Sequence, residues 1–213
     1  MKYVVLVPLV VFIAKCLTQS RTYRIYIANR YVRPDKLIAI QSVLETTMNA
    51  FDEISNAHNI TYWSDSGTTL GIVRHHGLIP WDDDIDLMVP TESIEKLKKA
   101  VSTTESTDGV GIDRGTEYIL DYADHIYRFR KKGRSEYIDL FECTDFGTYH
   151  DYSDVYNRKR WSKARVYNNE LFPLRKYTFG GLNIYGPKNP LPYLRRMYGK
   201  WETPKIVKGH HDV

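Results

Sequence analysis

Between Asp35 and His58 the apolar positions Leu37, Ile40, Val43, Leu44, Met48, Phe51 and Ile54 recur at steps of three and four. That is the spacing of one helix face, with Asp35 as a cap or first-turn acid. Thr61 to Ser64 reads as a short strand, Ser66-Gly67 as the turn after it, and Leu70 to Val73 as the start of a helix or hairpin. Ile85 to Val89 is an apolar strand stopped by Pro90, and Thr91 to Val101 a short helix. Residues 102–117 are rich in Ser, Thr, Gly and Asp and read as a loop with weak strands. Tyr118 to Phe129 alternates as one strand, Arg130 to Arg134 forms a basic hairpin tip, and Glu136 to Phe141 is a further strand. Asp151 to Val166 is a polar, helical insert; Leu171 to Tyr185 is strand, Gly180-Gly181 turn, strand. Pro190 to Tyr198 is a terminal helix, opened by prolines and closed by Gly199. No internal repeat or low-complexity linker divides residues 35–213, which read as one domain.

Ahead of that domain the pattern changes. Lys2 is followed by an apolar run from Tyr3 to Ala14, broken only by Pro8. The run is short of the roughly 20 residues that span a bilayer. It reads as a signal peptide or short membrane anchor over residues 1–17, or as a buried element of the domain. Residues 18–34 form a basic, tyrosine-bearing stem. Arg21, Arg24, Arg30 and Arg33 lie after the apolar run, which disfavours a cytoplasmic N-terminus and leaves orientation open. With the sequon Asn59-Ile-Thr61, these features favour the secretory pathway or a membrane association through residues 3–17.

Composition narrows the classes. Lys and Arg number 30 against 26 Asp and Glu, a net charge of +4, too mild to call for nucleic acid. The cysteines, Cys16 and Cys143, form no C-x-x-C pair, against a zinc site of ordinary spacing or a disulfide scaffold.

The chemistry concentrates between Gly67 and Asp86. Asp82, Asp84 and Asp86 alternate with other residues and, on one extended strand, would share a face, with Ile85 and Leu87 on the other. Like charges so close repel unless a cation lies between them, and burial sharpens that cost. A divalent metal, Mg²⁺ or Mn²⁺, is the expected remedy. Asp139, a lone acid between Ile138 and Leu140, belongs with this group if its strand lies alongside. Ser66-Gly67-Thr68-Thr69 offers backbone N–H groups to a phosphate. Arg74 suits a phosphate or a carboxylate; His75 suits contact or packing, and Trp81 packing or base stacking. The basic run Arg158 to Arg165 reads as a solvated face or a contact for an anionic donor or membrane. His210-His211 reads as tail or metal ligand.

A glycine turn, then acid-apolar-acid, then a single acid in an apolar strand resembles the nucleotidyltransferase fold of the DNA polymerase β superfamily. The stretch Gly67-Thr-Thr-Leu-Gly-x-x-Arg-His, followed by Ile-Pro-Trp-Asp-Asp-Asp-Ile-Asp, more closely resembles the LicD family of phosphocholine transferases and fukutin-like proteins. Asp139-Leu-Phe, Leu171-Phe-Pro-Leu and Pro192-Tyr-Leu through Tyr198-Gly-Lys-Trp follow in the same order, so the resemblance runs from about residue 35 to 211.

This resemblance implies an α+β fold, a mixed sheet with flanking helices. It also implies transfer of a substituted phosphate, such as phosphocholine or ribitol phosphate, from a CDP-activated alcohol to a glycan hydroxyl. By it, Asp84 and Asp86 are metal ligands, Asp139 is base or third ligand, and Gly67, Thr68, Arg74, His75 and Asp82 bind substrate. The cysteine-rich zinc insert of some animal members is absent. Two other expectations stand beside this one: a D-x-D sugar-nucleotide glycosyltransferase, and a non-catalytic binding protein that retains the fold.

Overall fold

The computed structural model describes residues 34–103 and 111–203. The expected anchor, nearly all of the stem, and His210-His211 lie outside the described residues. Among the described residues no helix is long and apolar enough to cross a membrane.

The predicted first helix is α1, Pro34–His58, with proline in its first turn, where no intrahelical N–H is needed. It buries Leu37, Leu44, Met48 and Phe51. Strand β1, Trp63–Ser64, leads into α2, Ser66–His75; β2, Asp86–Pro90, leads into α3, Thr91–Ala100. Then come β3 (Ser102–Thr103), β4 (Tyr118–Ala123), β5 (Ile126–Lys131), β6 (Ile138–Asp145) and β7 (Tyr149–Tyr152). The chain continues through α4 (Val155–Arg160), β8 (Val166–Tyr167), α5 (Asn168–Leu171), β9 (Arg175–Phe179), β10 (Leu182–Gly186) and α6 (Pro190–Tyr198).

Eight strands form one mixed sheet in the order β1-β2-β6-β5-β4-β3, with β7 on β6 and β8 on β7. β2 runs parallel to β6 and β3 to β4; the other pairs are antiparallel. Alternation along β2 and β6 divides the core in two. Leu87, Val89, Ile138 and Leu140 join α1, α3 and the β9–β10 hairpin on one face. Met88, Phe141 and Cys143 meet Leu70, Tyr152, Leu171, Tyr193 and Leu194 on the other. The expected α+β architecture, a mixed sheet with flanking helices, is what the chain adopts.

Five local expectations change. Asp82 to Ile85 are not strand, since β2 begins at Asp86. Asp82 is instead fixed in a turn, its N–H bonded to Ile79 O at 2.9 Å and its carbonyl accepting from Gln41 Nε2 at 2.7 Å. Ser66 to Thr69 form the first turn of α2, not a free turn. Tyr118 to Phe129 is two paired strands, reversed at Asp124 and His125, whose φ values of 54° and 67° make a left-handed two-residue turn. The alternation passes through Asp-His without the usual Asn-Gly mark, so one strand was expected. Arg130 and Lys131 consequently belong to β5 rather than to a hairpin tip. The insert Asp151 to Val166 is mostly not helix. Its start, Asp151 and Tyr152, is buried strand at the end of β7, where Tyr152 Oη donates to Asp65 Oδ2 at 2.6 Å.

Candidate active site

The sheet sets a row of charged positions side by side. Asp86 on β2 is registered with Asp139 on β6, and Asp139 with Arg128 on β5. Registered neighbours leave the sheet on one face, about 4.8 Å apart along the row. Asp65, one residue past β1, extends it: its N–H donates to Asp86 O at 3.0 Å, as Asp139 N–H does to Ile85 O at 2.9 Å. The expectation that Asp139 lies on the strand beside Asp86 is met.

Helix α2 brings its first turn against this row. Ser66 takes a φ of 41°, a left-handed conformation that turns strand abruptly into helix. Its N–H donates to Tyr193 Oη at 3.1 Å. Thr68 Oγ1 accepts from Asp86 N–H at 2.8 Å, tying the helix to the strand that carries the acid. Gly67 faces the acid loop so closely that a Cβ there would stand 3.1 Å from Asp82 Oδ2. The last turn of α2 carries Arg74 and His75 to Trp81, just before the acids. The Arg74 guanidinium lies 5.9 Å from the Trp81 ring centroid, and its Nη1 donates to Trp201 O at 3.0 Å. His75 meets the same ring edge-on at 5.8 Å.

Repulsion and burial shape the electrostatics. Burial, then Asp84 and Asp83, hold the Asp82 carboxyl well above the ordinary carboxylate range. Burial, followed by Asp84, Asp139, Asp65 and Asp82, does the same to Asp86. Asp139 is pushed up to about 7, by burial against the opposing pull of Arg128, with Asp84 adding to the rise. Burial beside Arg74 and His76 lowers His75 to about 4, so the expected basic pair carries one cation at neutral pH.

The acids form two overlapping sets. Carboxylate oxygens of Asp82, Asp83 and Asp84 lie within 4.8 Å of one another, while Asp86 and Asp139 share the strand row. Asp84 acts electrostatically on Asp82, Asp86 and Asp139, which places it where the sets meet. An all-oxygen set of mutually repelling, mostly half-buried carboxylates, with Asp83 exposed, suits a hard divalent cation. Asp139 Oδ1, buried and without a hydrogen-bond partner among the described residues, fits the same need.

Residues 59–189 match the family model of the LicD/FKTN/FKRP nucleotidyltransferase domain. The chain belongs to the LicD family. It is 32% identical over 161 residues to uncharacterized protein RP689 of Rickettsia prowazekii, covering 76% of this chain and 56% of that one. Similarity extends to ribitol 5-phosphate transferase FKRP of Mus musculus, at 24% over 154 residues, 68% of this chain and 29% of that protein. Against the lipopolysaccharide cholinephosphotransferase LicD of Haemophilus influenzae, identity is 34% over 57 residues, 27% of this chain and 22% of that one. The chain spans about half the length of the Rickettsia prowazekii protein that it matches.

In this LicD-family domain several site neighbours carried no sequence signal. Asp65 is fully buried beneath the row, accepting from Tyr152 Oη at 2.6 Å and from Tyr193 Oη. Burial raises its carboxyl while the two tyrosines draw it down. Tyr198 is pushed upward by burial and then by Asp86 and Asp65. Arg128 owes its place entirely to strand register.

Proposed function

We propose that this chain is a metal-dependent phosphotransferase that moves a substituted phosphate from a CDP-activated alcohol to a glycan hydroxyl. The observation that carries this reading is the row of Asp86 and Asp139, flanked by Asp82 and Asp84 and met by the first turn of α2. Membership of a family that includes a cholinephosphotransferase and a ribitol 5-phosphate transferase supports it.

Asp84 and Asp86 would hold Mg²⁺ or Mn²⁺, with Asp82 in reach of the same charge. When bound, the ion neutralises charge on the diphosphate oxygens as it builds. The protein's own groups do the rest. A helix N-terminus favours phosphate oxygens, so the start of α2 at Gly67 and Thr68 positions the donor. Arg74 adds a guanidinium contact. His75, neutral at physiological pH, serves as a hydrogen-bonding group rather than a cation. Asp139, registered beside Asp86 and with Oδ1 unmatched by a hydrogen-bond donor among the described residues, is placed to accept the proton of the attacking hydroxyl. The acceptor oxygen then bonds to the phosphorus bearing the alcohol. The bridging P–O bond to CMP breaks, CMP leaves, and the hydroxyl proton passes to Asp139. Such transfers rest on positioning and electrostatics.

The test is CMP release by the full chain offered CDP-choline, CDP-ribitol and CDP-glycerol separately, with a mixed glycan pool, Mg²⁺ or Mn²⁺, and EDTA controls. Metal-dependent release from one donor names the class. Absence of both release and donor binding sinks it. We also read residues 3–17 as a membrane or secretory address; fractionation of expressing cells tests that, and a wholly soluble cytosolic chain overturns it.

A further inference from the structure

Arg128 is the most telling residue outside the acids, because its ion pair with Asp139 is left without a hydrogen bond. Arg128 sits in register with Asp139, on the same face, yet its Nε stays 3.7 Å from Asp139 Oδ1, beyond hydrogen-bond range. Both atoms are buried, and neither has a hydrogen-bond partner among the described residues. Arginine–carboxylate pairs frequently close as a two-bond fork of about 2.7–2.9 Å. This fork is open. The guanidinium is held from two other sides. Its Nη2 donates to Asp124 Oδ2 at 2.9 Å, and its Cζ lies 4.8 Å from the Tyr137 ring centroid. Asp124 is at the tight β4–β5 turn with its side chain 80% exposed, so that contact steers the guanidinium without satisfying it.

The two unmet atoms ask for opposite things. Nε–H of Arg128 needs an acceptor; Oδ1 of Asp139 needs a donor. The reacting groups of a phosphoryl transfer supply both, an oxygen on the phosphate and the hydrogen of the attacking hydroxyl.

We propose that Arg128 is a catalytic residue that binds the donor's distal phosphate, the one transferred, beside Asp139. This rests on the function proposed above and adds to it a phosphate contact reached through β5 rather than through α2. The placement gives Arg128 a selective task. CMP carries only the proximal phosphate, so Arg128 discriminates CDP from CMP and adds little to the binding of CMP.

The test is calorimetric titration of the full chain with CDP and with CMP, in Mg²⁺ or Mn²⁺, for the native protein, Arg128→Gln and Arg128→Lys. The native chain is expected to prefer CDP. Arg128→Gln is expected to weaken CDP by about tenfold or more, the scale of one lost charge-assisted contact, and to leave CMP nearly unchanged. Arg128→Lys keeps charge but not the fork and falls between. A general folding defect would weaken both ligands together. An unchanged CDP-to-CMP ratio in Arg128→Gln overturns the assignment of Arg128 while the transferase reading stands. A native chain that binds neither nucleotide removes both. A measurement on the native chain needs no variant: the Arg128 Nε–H NMR resonance should shift on adding CDP and stay in place with CMP. A resonance indifferent to CDP also overturns the contact.

Discussion

Asp86 and Asp139 occupy registered positions on neighbouring parallel strands, so two carboxylates leave the same face of the sheet side by side. Each is pushed upward by burial and by other acids, which means the protein stores repulsion where its chemistry is proposed.

Neutralising one member should therefore separate activity from stability. Asp86→Asn and Asp139→Asn are each expected to lower turnover by roughly 10³-fold, since both remove charge from the transition-state environment. In EDTA the same variants should melt higher than the native chain. A relief of about 1 kcal/mol corresponds to about 2–4 °C for a chain of this size. Melting curves with and without Mg²⁺ check this. Variants that retain near-native turnover, or that melt lower in EDTA, would remove the metal site from the proposal.

Asp139 also predicts a pH dependence. Its folded value of about 7 stands above the ordinary 3.8. Below about pH 4 both folded and unfolded states hold the proton. As pH rises toward 7 the unfolded state releases it first, so the metal-free protein loses stability across that interval. The full effect, on the order of 2–4 kcal/mol before screening, is in place above about pH 7. His75 works in the opposite direction. Its value of about 4 against 6.5 means the unfolded state takes up the extra proton, and stability is lost as pH falls from about 6.5 toward 4. The two effects offset in the native profile. Urea unfolding in EDTA should isolate the first: the stability gained by Asp139→Asn grows between about pH 5 and pH 7 and then levels. A gain independent of pH would show that Asp139 ionises normally.

What the sequence reveals of this site depends on how far its residues lie apart. Within one element the pattern suffices: α1 follows from the run Leu37 to Ile54, and α6 from its opening prolines. Asp139 stands out because Ile138 and Leu140 bury the strand around it. The run Asp82 to Asp86 misleads, since alternate acids imitate a strand face. The backbone there is taken up instead by a turn on Ile79 and by Gln41, a residue 41 positions from Asp82. Asp65 is silent for a related reason. Its tyrosine partners, Tyr152 and Tyr193, lie 87 and 128 residues downstream, and tyrosine is too common in this chain to single them out. Arg128 has no local mark either; only strand register places it beside Asp139.

Gly67 tests how closely α2 must approach the acids. An alanine suits helical backbone better than glycine, by up to about 1 kcal/mol in a helix interior. Here its Cβ would stand 3.1 Å from Asp82 Oδ2 and push that carboxylate aside. Gly67→Ala should keep or slightly raise the melting temperature in EDTA, yet weaken Mn²⁺ binding and lower turnover by about tenfold, an energy of about 1.4 kcal/mol. Mn²⁺ titration followed by electron paramagnetic resonance reads the first effect. Unchanged metal affinity would mean that Asp82 moves freely and that the close approach of Gly67 is incidental.

The tyrosine pair beneath the row makes the strongest structural claim. Asp65 is buried and joins β1 to α2 at the point where Ser66 turns the chain. Tyr193, on α6, both donates to Asp65 Oδ1 and accepts from Ser66 N–H at 3.1 Å, so a single hydroxyl satisfies a buried carboxylate and a helix-start amide. Removing that oxygen strips a partner from each. Tyr193→Phe should therefore cost about 1–3 kcal/mol, the range for leaving a buried polar group unsatisfied. In Asp65→Asn one of the two oxygens that accept from Tyr152 and Tyr193 becomes an NH₂ donor, so that variant also costs stability. The double variant should cost less than the sum of the two singles, because they share one interaction. Urea unfolding of the four proteins measures the coupling. Strict additivity would separate Tyr193 from Asp65 energetically and leave the start of α2 supported by the sheet alone.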